Sequence, residues 1–114
     1  MAQVFNLFRV SSTSAGTGDI TLGAAIAGFL TFAQAGGVDG DNIEYSINDG
    51  SNSEKGIGII TGGILSRQVV YSSTNGGALI SLSGNSSSCN IFCDPSAQNL
   101  WVINTAQHAV YGGV

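Results

Sequence analysis

The feature that most constrains this chain is its punctuation. Glycine-bearing turn signals recur about every 8–12 residues, and the stretches between them alternate apolar and polar side chains instead of repeating at helical spacing. Residues 42–48 align Ile43, Tyr45 and Ile47 on one face, and residues 64–71 align Leu65, Val69 and Tyr71 with Arg67 among them. Short alternating segments joined by tight turns indicate an all-β domain: a single-domain β-sandwich of jelly-roll-like type, or a small barrel, with about seven or eight short strands. With 114 residues and 43% hydrophobic side chains the chain can build one core without metal or disulfides.

The expected elements follow in order. Residues 3–10 read as a first strand with Val4, Phe8 and Val10 on one side and Phe5 and Leu7 on the other; apolar on both faces, it is buried twice or meets a partner. A Ser/Thr/Gly loop over 11–18 and a short strand over 19–23 come next. Residues 24–35 can turn helical for one or two turns at most, because Gly28, β-branched Ile26 and Thr31, and the bulky Phe29 and Phe32 all oppose helix. Over 55–61, Ile57 and Ile59 stand opposite Gly56 and Gly58, so this strand packs flat against another backbone or carries a bulge. Asp49-Gly50 and Gly62-Gly63 are turns, and Asn75-Gly76-Gly77 is the sharpest hairpin signal, expected to join strand 64–71 to a strand over 78–83. A strand over 88–93 ends at Asp94-Pro95.

The chain divides into an N-terminal strand or arm (1–10), a β-sandwich core module (11–95) and an apolar C-terminal segment (96–114). No charge follows Asp94, yet Leu100-Trp101-Val102-Ile103 and Ala109-Val110-Tyr111 are apolar. Either this segment adds a last strand to its own sheet, or it lies across a neighbouring subunit with Trp101 as an anchor.

Charge narrows the function. The net charge is −4, and Arg9, Lys55 and Arg67 are the three fixed cations, too few and too scattered to neutralise a run of phosphates; nucleic-acid binding is excluded. Charged residues make up 9% of the chain against a usual share of about 25%, so the solvated surface is mostly Ser, Thr, Asn and Gly. Such a surface suits a component of a permanent assembly. The N-terminus has no signal-peptide pattern, which implies cytoplasmic synthesis, and the apolar run over 20–35 is interrupted and shorter than the ~20 residues of a membrane span.

Catalytic signals are lacking. His108 is the single His, and neither a Gly-x-Ser-x-Gly elbow nor a Cys/His signature frames a nucleophile; dinucleotide and phosphate-loop spacings are absent too. The chain therefore reads as non-enzymatic, with no cofactor. Asp39, Asp41, Asn42 and Glu44 group oxygen donors, but Ile43 sits where a calcium loop needs its third ligand, so an acidic turn is the better reading. On one strand Cys89 and Cys93 would lie about 13 Å apart, too far for a mutual disulfide, and with one His and no third Cys a metal site is poorly supplied; they read as reduced, mostly buried thiols, with intersubunit cross-links or metal ligation as the alternatives. Arg67, inside an apolar strand, implies either an internal or intersubunit ion pair, with Asp49 and Glu54 as candidate partners, or an exposed rim charge.

Several stretches in order carry a family likeness. Arg9-Val10, Gly16-Thr17-Gly18-Asp19-Ile20-Thr21-Leu22-Gly23, Gly28-Phe29-Leu30-Thr31-Phe32, Tyr45-Ser46-Ile47-Asn48-Asp49-Gly50, Glu54-Lys55-Gly56-Ile57-Gly58, Leu65-Ser66-Arg67, Ser72-Ser73-Thr74-Asn75-Gly76-Gly77 and Ile91-Phe92-Cys93 together resemble a β-rich module of tailed-bacteriophage structural proteins. The likeness covers about residues 8–95; Phe8 stands where the pattern has an acidic residue and Lys55 where it has an apolar one. The resemblance implies a virion protein, and the small size favours a capsid decoration (cement) protein: a homotrimer on the outer capsid, assembled in the host bacterial cytoplasm, whose partner is the major capsid protein. Contact residues would be Val4, Phe5, Leu7 and Phe8 in the arm, and Leu100, Trp101, Val102, Ile103 and Tyr111 in the C-terminal segment. The competing readings are a tail-fibre or spike-associated module that recognises host glycan through Trp101, Tyr71 and Tyr111, and a head-to-tail connector component.

Overall fold

The alternating segments pair into an antiparallel meander that organises the rest of the chain. A computed structural model describes residues 2–95. Its strands are β1 (Arg9–Ser11), β2 (Ala15–Gly16), β3 (Ile20–Thr21), β4 (Asp41–Asp49), β5 (Asn52–Thr61), β6 (Ile64–Ser73), β7 (Leu82–Ser83) and β8 (Cys89–Cys93). Six form one antiparallel sheet in the order β1-β8-β4-β5-β6-β3, and β2 pairs with β7 in a small second sheet. The all-β class with about eight short strands, read from the alternation, is what the structure shows.

Glycine sets both tight turns of the meander. Asp49 opposes Asn52 across Gly50 (φ 64°) and Ser51, and Thr61 opposes Ile64 across Gly62 and Gly63, whose φ values of 60° and 74° suit a two-residue hairpin turn. Ile43, Tyr45 and Ile47 of β4 face inward with Ile91 and Cys89 of β8, Ile60 of β5 and Leu65 of β6. Val10 of β1 and Ile20 of β3 join them from the edges of the same sheet, and Phe8, Phe32, Ile80 and Leu82 complete the core.

On β5 the glycine face is the inward one. A Cβ on Gly56 would lie 2.1 Å from the Val69 carbonyl oxygen and 2.6 Å from the Tyr45 hydroxyl, and one on Gly58 would lie 2.6 Å from Leu65 Cδ1 and from the Ser66 carbonyl oxygen. The missing side chains leave the space that the Tyr45 ring and the β6 backbone occupy. Pairing of β5 with β6 shifts between Lys55 and Gly56 and again between Ile57 and Gly58, leaving Tyr71 and Gln68 as the extra residues of two bulges. Flat packing and bulging, the two expectations for this strand, both occur.

Two local expectations need correction, and a third, between them, holds as a limit. Residues 3–10 are not one strand: Gln3 makes an isolated bridge to Ile43, the chain breaks at Leu7 (φ 65°), and only Arg9–Ser11 joins the sheet. The segment 24–35 stays within its limit of one or two helical turns: Ala35 N–H donates to the Thr31 carbonyl at 3.0 Å in a single turn, while earlier amides bond to the N-terminal segment, Ile26 N–H to the Arg9 carbonyl at 3.0 Å and Leu30 N–H to the Leu7 carbonyl at 2.8 Å. Gly28 at φ 88° permits that path. Finally, Asn75-Gly76-Gly77 does turn the chain, but no hairpin follows. Residues 78–81 dip towards the core, and Leu82–Ser83 pairs with β2.

Candidate functional site

What holds residues 78–81 away from β6 is a buried polar cluster. Arg67 Nη1 lies 3.1 Å from Glu54 Oε1, and the two side chains are 1% and 0% exposed. Glu54 also accepts from the Tyr45 hydroxyl at 2.5 Å and from the Ile80 N–H at 2.8 Å. The guanidinium donates further to the carbonyls of Ile80 (3.0 Å), Gly18 (2.9 Å) and Gly16 (3.3 Å). Side chains thus replace the ladder bonds that a hairpin would have given Ile80. Burial and the bond to Glu54 push the Tyr45 phenol well above its ordinary range. Of the alternatives for Arg67, the internal pair with Glu54 is the one formed.

Asp49 does a related job at the end of β4. Burial opposes its ionisation, but hydrogen bonds from Ser83 N–H (2.7 Å), Ser83 Oγ (2.8 Å) and Ser88 Oγ (3.0 Å) outweigh that and hold its pKa below the usual carboxylate value. The carboxylate fastens β7 and the 84–88 loop to the meander. Cys89 and Cys93 are free thiols, buried and half-buried, with burial pushing both up to about 11. Among the described residues no cluster of His, Cys, Asp and Glu could hold a metal ion, and no helix is long and apolar enough to cross a membrane.

Two surfaces remain. The first is the sheet face opposite the core, where strand register aligns side chains in rows. Arg9 stands opposite Phe92, Phe92 opposite Ser46, Ser46 opposite Lys55 and Lys55 opposite Ser72. In the next row Ser11, Asn90, Asn48 and Ser53 follow one another. The Arg9 guanidinium lies over two rings, 4.1 Å from the Phe92 centroid and 5.0 Å from that of Phe29. Lys55 Nζ lies 2.7 Å from Asp94 Oδ1, which also accepts from Ser46 Oγ. Burial disfavours the Asp94 carboxylate, but these bonds and the Lys55 charge prevail and lower its pKa. Beside this pair an open groove of about 330 Å³ runs past Asn48, Ser53, Ser72 and Phe92.

The second surface is the N-terminal segment. Leu7 is 61% exposed at the left-handed turn that reverses the chain, an uncommon conformation for a branched side chain, and Val4 is exposed nearby in sequence. The bond from Leu30 N–H to the Leu7 carbonyl brings the exposed Phe29 next to this turn. Phe5 and Phe8 do not share that exposure. Both rings meet Phe32 edge to face, at 5.1 Å and 5.6 Å, and Phe8 is 2% exposed. As a contact residue Phe8 is corrected, since it belongs to the protomer's own core, where Phe32 offers it an aromatic partner; Phe5 packs half-buried against that core. Leu100, Trp101, Val102, Ile103 and Tyr111 lie outside the described residues, as does His108.

The outer-face groove is a surface the sequence reading missed. Its signal was present in the polar members of the alternation, Ser46 and Asn48, Ser53 and Lys55, Asn90 and Phe92, which only the register brings together. Comparison with protein-family models, with curated proteins and with solved structures finds no match.

Proposed function

We propose that this chain is a non-enzymatic structural protein of a phage virion, a capsid decoration protein that docks on the outer face of the major capsid shell as a homotrimer and stabilises it. The observation that carries the docking role is Leu7, a large apolar side chain held outward on a strained turn beside exposed Phe29. The likeness of residues 8–95 to the phage module supplies the setting. In support of a structural role, the buried ionisable groups Glu54, Arg67 and Asp49 are bonded to backbone and side chains that fasten the fold together.

The mechanism is burial of apolar surface shared over many copies. Full burial of a leucine side chain is worth about 1.5–3 kcal/mol, so covering the exposed part of Leu7 contributes about 1–2 kcal/mol per copy. Three such contacts per trimer act together, because once one protomer is seated the others bind at high effective concentration.

Counting copies tests this. Purified particles should hold about one copy per major capsid subunit, and the isolated protein should run near 35 kDa, three chains of 11.5 kDa. A few copies per particle would overturn the proposal and redirect attention to the tail. Leu7→Asp should abolish attachment to particles stripped of this protein while leaving the isolated chain folded.

A further inference from the structure

The groove on the outer face has a chemistry that the docking role does not use. Both charges at its edge are engaged with each other, since Lys55 is paired with Asp94 at 2.7 Å. No unpaired cation among the described groove residues is left for a phosphate or carboxylate. Glu54 and Ile47 border the groove but are buried, Glu54 paired with Arg67, so the side chains left to meet a ligand are hydroxyls, amides and one aromatic ring; the volume is at the lower end of the range of small-molecule sites, about 300–1,000 Å³.

Asn48, Ser53 and Thr74 are held in place before any ligand arrives. Ser53 Oγ donates to Asn48 Oδ1 at 2.6 Å, and Ser53 N–H donates to Thr74 Oγ1 at 3.0 Å, which in turn donates to Asn52 Oδ1 at 3.2 Å. The Asn48 NH2 and the Ser72 hydroxyl have no bonding partner among the described residues, and both residues are exposed. Arg9 packs on the Phe92 ring and so fixes the aromatic wall of the groove.

We propose that this groove binds a neutral saccharide, with the apolar face of one sugar ring against Phe92 and its hydroxyls on Asn48, Ser53 and Ser72. A sugar hydroxyl both donates and accepts, which matches a lining of amide and hydroxyl groups. A pyranose also carries a C–H face that an aromatic ring can cover. The proposal is independent of particle attachment: it concerns side chains of β4, β5, β6 and β8, whereas the docking role concerns the Leu7 turn.

The test is an NMR titration of the full-length protein with the methyl glycosides of glucose, galactose, mannose and N-acetylglucosamine at millimolar concentrations. At least one should bind with a Kd on the order of 1 mM and shift the amide signals of Asn48, Ser53 and Ser72. Asn48→Leu and, separately, Ser72→Leu should each weaken that binding at least tenfold with no change in thermal unfolding; the second variant keeps the test valid if the first fails to fold. Raising the salt should leave a neutral sugar's affinity unchanged. No shift with any of the four glycosides, binding that survives both substitutions, or a preference for an acidic sugar that salt removes would each overturn the proposal.

Discussion

Replacing Arg67 by Met keeps the volume of the stem and deletes the guanidinium. Glu54 then remains fully buried with bonds from Tyr45 and Ile80 but no opposing charge, while the carbonyls of Gly16, Gly18 and Ile80 lose their donor. Breaking a buried pair by removing one partner costs about 3–5 kcal/mol, a large part of the 5–15 kcal/mol that holds a typical domain together. With a urea m-value of about 1.5 kcal/mol/M, the unfolding midpoint of Arg67→Met should fall by about 2–3 M. The double variant Arg67→Met with Glu54→Leu should recover part of that loss, because no charge is then left stranded. Equilibrium urea unfolding at pH 7 of the four members of the cycle measures both numbers. A single-variant loss below about 1 kcal/mol, or a double variant no more stable than the sum of the singles, would refute the view that Arg67 and Glu54 act as one unit.

Other outcomes follow from the same structure. Asp49 has a lowered pKa when folded, so its stabilisation is fully present above the unfolded value of about 3.9 and is lost as pH falls through the folded one; Asp49→Asn should cost about 2–3 kcal/mol at pH 7, and the gap to the parent in urea unfolding should narrow by pH 3. Gly56→Ala forces a Cβ to within 2.1 Å of the Val69 carbonyl oxygen and should cost at least about 3 kcal/mol by thermal unfolding. Cys89 and Cys93, with thiols raised to about 11, should resist iodoacetamide at pH 8 in the native protein and react quickly in urea. Leu7→Gly relieves a left-handed conformation and should stabilise the isolated chain by about 1 kcal/mol while weakening particle attachment.

The long strands were legible because β-branched alternation and turn glycines agree there. Segments read at 42–48, 55–61, 64–71 and 88–93 correspond to Asp41–Asp49, Asn52–Thr61, Ile64–Ser73 and Cys89–Cys93. Alternation marks two faces without saying which one is inward. On β5 the apolar side, Ile57 and Ile59, is the outer one, because Tyr45 needs the room that Gly56 leaves. The hairpin expected at Asn75-Gly76-Gly77 failed for a different reason: the turn chemistry was right, but Glu54 and Arg67 capture the Ile80 backbone before it can reach β6. Local propensity cannot register a competitor 26 residues away in sequence. The groove was illegible for the same reason, since its lining comes from four strands and exists only once their register is set.

A chain this poor in charge places most of what it has in fixed positions. Two of the three cations are paired, Arg67 with Glu54 and Lys55 with Asp94, while Arg9 lies over the rings of Phe29 and Phe92 with its buried Nε unbonded among the described residues. Glu44, Asp49 and Glu54 are buried, while the carboxylates of Asp39 and Asp41 accept bonds from the N–H groups of Gly62 and Val38. Ionic groups therefore organise a fold with many loops and a modest core, and the surface is left to neutral polar and apolar groups. Contacts made by such a surface draw little from long-range attraction and are little weakened by salt. In the docking role proposed above they would gain instead from shape, from apolar burial at Leu7 and Phe29, and from repetition over many copies, the regime in which a small protein can hold to a large assembly without a strong single site.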